Sequence, residues 1–239
     1  LIWLSFTSIS QADTRLTFNV QEGSTKSNLT IDLSPHYVRI QSDQQAWMTY
    51  DVRNDVLYQI NQKGQHSRLD RLKVARLQEI TRKQRLEWET QVSKLKPEHR
   101  TMAQQQLAES VDSKPQNQPS TLSSIKRWRQ VVNVRCQDHE IKRAGYTQQV
   151  LCVSTNKDLG VSTEQYQALK QMNDLLEAMQ KASSFNATEP PHWGALGGIP
   201  VMIKDINPAG QTTGLQTLAS STTFTPPPGW YALPTDKPI

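Results

Sequence analysis

Apolar and polar residues alternate along the first quarter of the chain. Leu16, Phe18 and Val20 fall at every second position, as do Leu29, Ile31 and Leu33, then Val38 and Ile40, then Val56, Tyr58 and Ile60. Strand side chains project to opposite faces with period two, so each run predicts a short strand with one wet face. Glu22-Gly23-Ser24, Ser42-Asp43 and Arg53-Asn54-Asp55 supply polar turns between them. Residues 14–61 therefore predict an antiparallel meander.

The period then changes to that of a helix. Ser67-Arg68-Leu69-Asp70 resembles a capping box, and residues 69–94 contain neither Gly nor Pro. Leu69, Leu72, Leu77, Ile80, Trp88, Val92 and Leu95 predict a broad apolar arc, with Leu86 off it. Pro97 suits the first position of a second helix running through Met102 and Leu107 to about Val111. Residues 68–112 thus predict a helical-hairpin insertion. Its cations Arg76, Arg82, Lys83 and Arg85 are interrupted by Glu79 and Glu87, with no aromatic platform between them. That pattern reads as a solvated helix face, so no nucleic-acid partner is expected.

Polar, proline-containing residues 112–124 predict a linker. Strands are expected from Trp128 to about Ile141 and from Tyr146 to Ser154. Ser162 and Gln165 form a second capping-box pattern before the stripe Tyr166, Leu169, Met172, Leu175, Leu176 and Met179, which predicts a helix ending near Ala182. Gly197–Ile203 and Thr212–Phe224 predict two last strands, turning at Asn207-Pro208-Ala209-Gly210. Strands in runs with separate helices give an α+β class.

Composition narrows the function. The chain has 239 residues, 27 Lys+Arg against 22 Asp+Glu, a net charge of +5 and 36% hydrophobic residues. That length can bury a core, and residues 13–239 are expected to form a single domain. No apolar run is long enough to predict a transmembrane helix. Residues 1–12 are apolar and uncharged up to Ser8-Ile9-Ser10-Gln11-Ala12, with small residues at positions 10 and 12. They read as a signal-peptide remnant cleaved after Ala12, against the alternative of a first strand with Trp3, Phe6 and Ile9 inside. An exported, periplasmic protein is expected.

The two cysteines fit that compartment. A loop Arg143-Ala144-Gly145 would pair Lys142 with Tyr146 and so set Cys136 opposite Cys152, within disulfide range. The alternative is two separately buried thiols. The five histidines show no metal-binding spacing. No nucleophile elbow, phosphate loop or paired carboxylates stand out, so neither catalysis, metal nor cofactor is expected.

Pro35-His36-Tyr37-Val38-Arg39, Gln45-Ala46-Trp47-Met48-Thr49-Tyr50-Asp51 and Val56-Leu57-Tyr58-Gln59-Ile60 together resemble strands of the bacterial lipoprotein-carrier superfamily (LolA/LolB-like). Phe224-Thr225-Pro226-Pro227-Pro228-Gly229 is similar to the closing stretch of that family. The helical hairpin, the cysteine strands and Gly198-Ile199-Pro200-Val201 look more like a related family of bacterial envelope proteins. The resemblance implies a strongly curved antiparallel sheet, an incomplete barrel, with helices on its concave side around an apolar cavity. In the carriers that cavity holds acyl chains.

Two readings follow. One is a carrier-like protein sheltering a lipid, an acyl chain or another hydrophobic ligand. The other is an envelope structural or protein-interaction module whose core is filled by its own side chains. Cavity candidates, taken from alternation and from the helical stripe, are Phe18, Ile31, Val38, Ile40, Met48, Tyr50, Val56, Tyr58, Leu175 and Met179. The strand assignments reverse under a one-residue register slip.

Overall fold

The computed structural model describes residues 12–43, 46–97, 99–103, 120–143, 145–183 and 193–234. Residues 1–11 of the expected leader (1–12) and most of the expected linker lie outside them. Among the described residues, eleven strands form one antiparallel sheet that does not close into a barrel. They are β1 (Asp13–Glu22), β2 (Thr25–Leu33), β3 (Tyr37–Ser42), β4 (Trp47–Asp51), β5 (Val56–Ile60) and β6 (His66–Asp70), then β7 (Thr121–Val131), β8 (Val134–Arg143), β9 (Tyr146–Ser154), β10 (Ile199–Ile206) and β11 (Thr212–Phe224). The spatial order is β6-β5-β4-β3-β2-β1-β11-β10-β9-β8-β7. Two meanders are thereby joined through the pairing of β1 with β11.

Irregularities curve the sheet. The β1–β11 ladder shifts register between Thr17 and Phe18, and the β9–β10 ladder shifts after Pro200, which has no N–H to give. An inserted residue bends its strand and increases the local twist. The concave face follows from cross-strand pairs: Leu16 with Ile31, Ile31 with Ile40, Leu33 with Val38, Val38 with Tyr50 and Tyr50 with Leu57. All are buried or packed against the main core.

Helix α2 (Thr163–Ser183) covers that face, packing on β2 and β3. Its start is the expected reciprocal cap: Gln165 N donates to Ser162 Oγ (3.2 Å), and Ser162 N donates to Gln165 Oε1 (2.9 Å). Such a cap contributes about 1 kcal/mol, whereas each fully buried large apolar side chain contributes about 1.5–3 kcal/mol. Ala168, Leu169, Met172 and Leu175 are buried beneath it, so packing decides where the helix lies.

Helix α1 (Arg71–Ser93) begins later than its sequence predicts. Ser67 to Asp70 belong to β6, and Asp70 is the cap, its carboxylate accepting from Lys73 N at 2.8 Å. The predicted arc is buried only in part. Of its members Leu72 is 72% exposed and Ile80 52%, whereas Val92 is buried and Leu69 and Leu77 pack on the core; Val74, outside the arc, is buried as well. Thr81 ties α1 to the end of α2 by donating to the Ala182 carbonyl (2.8 Å). A helix that meets the core through another helix needs only a narrow seam, and spacing alone does not say which stripe becomes that seam. The second arm of the hairpin is helical at Pro97 and over 99–103, and its continuation to Val111 falls outside the described residues.

The region expected as linker and one long strand is instead a hairpin. Residues 121–124 belong to β7, and the chain turns at Val132-Asn133 into β8. Val132 has a φ of 54°. A β-branched residue in the left-handed region is uncommon, so Val131-Val132-Asn133-Val134 reads as continuous strand. Opposite Asp138, β7 bulges between Ser124 and Trp128, and Arg127 and Arg129 both donate to the buried Asp138 carboxylate.

Candidate functional site

A cavity of about 190 Å³ lies between α2 and the concave face. Phe18, Leu29, Ile31 and Ile40 line it from the first meander, and Gly198, Ile199, Pro200, Ile203 and Gln216 from the second. Tyr166, Leu169, Lys170, Met172 and Asn173 line it from α2, the side chains that a helix places one above the other at spacings of three and four. Gly198 packs directly on the end of β9: a Cβ there would lie 2.3 Å from the Ser154 carbonyl oxygen, so no larger residue fits this part of the wall. Burial raises the pKa of the Tyr166 hydroxyl above its ordinary value.

Of the sequence-predicted cavity residues, Phe18, Ile31 and Ile40 line the space. Val38, Tyr50 and Leu175 are fully buried in the adjoining core, while Met48 and Met179 pack against it partly buried. Val56 and Tyr58 do not belong to this face. Their partners in the β4–β5 ladder are Asp51 and Thr49, whereas Leu57 pairs with Tyr50. Val56-Leu57-Tyr58 is apolar at three consecutive positions, so alternation could be started on either face. The pairing puts Trp47 opposite Met48 and Tyr50, as alternation predicts. Leu29, Leu169, Met172 and Ile199 were missed as cavity residues, because position in a buried stripe does not tell core from cavity wall.

On the opposite face a polar and aromatic cluster has formed that no local pattern announces. Arg15 holds the buried Asp32 carboxylate with two hydrogen bonds, from Nε (2.6 Å) and Nη2 (2.9 Å). The Arg15 guanidinium lies 3.7 Å from the centroid of Phe224. Arg39 lies between Trp47 and Trp230, 4.8 and 4.3 Å from their ring centroids, and donates to the Trp230 carbonyl (2.6 Å). Tyr231 stacks on Tyr37 and donates its hydroxyl to Asp13 (2.9 Å). The hydrogen bond to Asp32 raises the Arg15 pKa, whereas burial lowers that of Arg39 and raises those of Asp13 and Tyr231. Arg39, Trp47 and Phe224 are among the residues that carry the carrier-family resemblance. Here they anchor the closing segment 225–234 to the sheet, away from the cavity.

The cysteines are joined. Cys136 and Cys152 lie 5.4 Å apart at Cα. Their register differs from the expected one: Arg143 pairs with Tyr146, Lys142 with Thr147, and after a shift at Ile141 it is Asp138 that stands opposite Cys152. The bridge therefore runs diagonally across the ladder, within reach because both cysteines share a face. Among the described residues no three His, Cys, Asp or Glu side chains are grouped to hold a metal ion. No helix among them is long and apolar enough to cross a membrane.

No family model matches this chain, and no curated protein matches it. Solved structures do overlay on it. A conserved protein from Thermus thermophilus gives a TM-score of 0.45 at 5% identity, covering 96% of this chain and 90% of that one. PNGF-II gives 0.44 at 4% identity over 93% of this chain and 30% of its own. MucB gives 0.38 at 12% identity over 95% of this chain and 58% of its own, and has also been solved with MucA from Pseudomonas aeruginosa. Overlays at these scores are silent on ligand and partner.

Proposed function

We propose that this is an exported, periplasmic protein that shelters the apolar part of a lipid or another hydrophobic ligand, carrier-like and without catalysing a reaction. The observation behind this reading is the apolar cavity between α2 and the curved sheet. Its size sets the scale of the ligand. At about 190 Å³ it is somewhat larger than the roughly 150 Å³ apolar cavity known to take benzene, and below the roughly 300 Å³ at which sites for drug-sized molecules begin. It therefore suits the end of one chain and not the several acyl chains of a lipoprotein. The Cys136–Cys152 bridge supports an oxidising compartment, in line with cleavage of a leader after Ala12.

The test is saturable binding of naphthalene, together with native mass spectrometry of gently purified protein. Wild type is expected to bind the probe. Ile40→Trp, which puts an indole into the cavity, should abolish binding, whereas Tyr58→Leu on the other face should leave it unchanged. Wild-type protein that binds no hydrocarbon, and never retains a lipid on purification, would defeat the reading.

A second reading, an envelope interaction module, is favoured by one observation. Helix α1 displays Leu72, Ile80 and Leu86 to solvent. Photo-crosslinking from position 80 in the native envelope should then give one discrete adduct. A ladder equal to that from an exposed control position would count against it.

A further inference from the structure

We propose that the ligand of the cavity is a single-chain amphiphile with an anionic head, its tail in the cavity and its carboxylate or phosphate at Lys170; this rests on the apolar-ligand reading above. Among the described residues, Lys170 is the one charged residue of the lining. No ion pair joins it to any carboxylate among the described residues. Three further polar side chains line the same space, the Tyr166 hydroxyl and the amides of Asn173 and Gln216. Asn173 follows Lys170 by three positions on α2, one turn along the same side. Gln216 is inward-facing on β11, since its partners across the ladders are Val20 and Ile203.

The side chains of Lys170, Asn173 and Gln216 are partly buried, and none of them makes a hydrogen bond to another described residue. By contrast, Gln165 and Asp32, both deeply buried, are well partnered: Gln165 makes four side-chain hydrogen bonds, and Asp32 accepts three. An ammonium with two amides and a phenol hydroxyl beside a mostly apolar cavity offers donors to an oxyanion, while the positive charge of Lys170 repels a second cation. A neutral alcohol would gain the cavity but leave the charge of Lys170 unused. An alkylammonium would be repelled by it.

The experiment compares ligands that share an eight-carbon chain and differ in the head: octanoate, octyl phosphate, octanol and octyltrimethylammonium, titrated into the intact protein near neutral pH. Octanoate or octyl phosphate should bind about tenfold more tightly than octanol, the worth of one charge-assisted hydrogen bond, and the ammonium most weakly. The stronger of the two anions identifies the head as carboxylate or phosphate. Lys170→Met keeps the aliphatic stem and should erase the preference for anions without changing octanol affinity. Lys170→Glu should reverse it, with circular dichroism and denaturant midpoint checking that each variant is folded. Equal binding of all four heads, unchanged in Lys170→Met, would overturn the head-group assignment and leave the apolar cavity standing. Failure of every ligand, octanol included, would overturn both.

Discussion

The indole N–H of Trp230 donates to the carboxylate of Asp32 at 2.8 Å, closing 198 residues of chain onto β2. Asp32 is 2% exposed and already receives both hydrogen bonds of Arg15, so Trp230 completes the solvation of a buried anion. A buried carboxylate short of donors costs more than an exposed one, because no water replaces the missing partner.

Trp230→Phe keeps most of the ring packing on Phe224 and Arg39 and removes that one donor. It is expected to lower stability by about 1.5–3 kcal/mol in urea denaturation, with an unchanged dependence on denaturant concentration. Asp32→Ala, which strands Arg15 as well, should cost more. A Trp230→Phe variant as stable as wild type would mean that the closing segment lies loosely on the sheet.

Gln165 links three elements. Its Oε1 accepts from Thr14 Oγ1 (3.1 Å) and Ser162 N, and its Nε2 donates to the carbonyls of Ala12 (3.1 Å) and Leu33 (3.0 Å). Gln165→Leu keeps the bulk and leaves these groups unpaired at a 1% exposed position. A loss of about 2–4 kcal/mol is expected by thermal or chemical denaturation, well beyond the roughly 1 kcal/mol of an ordinary cap.

At Val132 the backbone is in a region that β-branched residues avoid, on a turn 54% exposed to solvent. Val132→Gly or Val132→Asn should raise stability by about 1 kcal/mol, since the left-handed conformation costs an ordinary L-residue about 1–2 kcal/mol and these two less. A denaturation midpoint that falls in both variants would contradict the strain.

Removing the bridge by Cys136→Ser with Cys152→Ser should cost less than the roughly 3 kcal/mol of loop-closure entropy, because the β8–β9 ladder constrains the same loop. Comparison of midpoints with and without reductant gives the same quantity in wild type.

The alkaline limit of stability has a defined sign. Burial, reinforced by the hydrogen bond to Asp55, raises the Tyr50 pKa above its ordinary value of 10, and burial together with Asp13 does so for Tyr231. In the unfolded chain both titrate near 10, so the folded state holds more protons above that pH. Their stabilisation is therefore intact below pH 10 and lost as pH rises toward the folded-state values. The two groups together steepen the fall by up to about 2.7 kcal/mol per pH unit above 10. Tyr50→Phe or Tyr231→Phe should each remove about half of that slope in denaturant titrations from pH 9 to 11.5. A slope unchanged in both variants would refute the account.

The sequence by itself determined the elements whose signal is local. Strands β1, β2, β3 and β5, the Ser162–Gln165 cap, the extent of α2 and the two final strands follow from alternation, capping residues and Pro/Gly turns, which depend only on neighbours along the chain; β4 entered through the family resemblance. Partial success marks the boundary. Phe18, Ile31 and Ile40 were legible as cavity wall, but Val56 and Tyr58 were assigned to the wrong face because only the pairing of Leu57 with Tyr50 fixes the phase of β5. Leu72 and Ile80 read as buried for the same reason, since periodicity gives an angle around a helix and not the direction of its neighbour.

Tertiary structure alone decided the rest. The join of β1 to β11, the diagonal cysteine bridge, the convergence of Arg15, Asp32, Arg39 and Trp230, and the space left between α2 and Gly198 each depend on atoms distant in sequence. Local preference fixes which faces a segment can bury. Which face meets which, and whether the fit closes or leaves a cavity, is set by the balance of packing and polar pairing over the whole sheet.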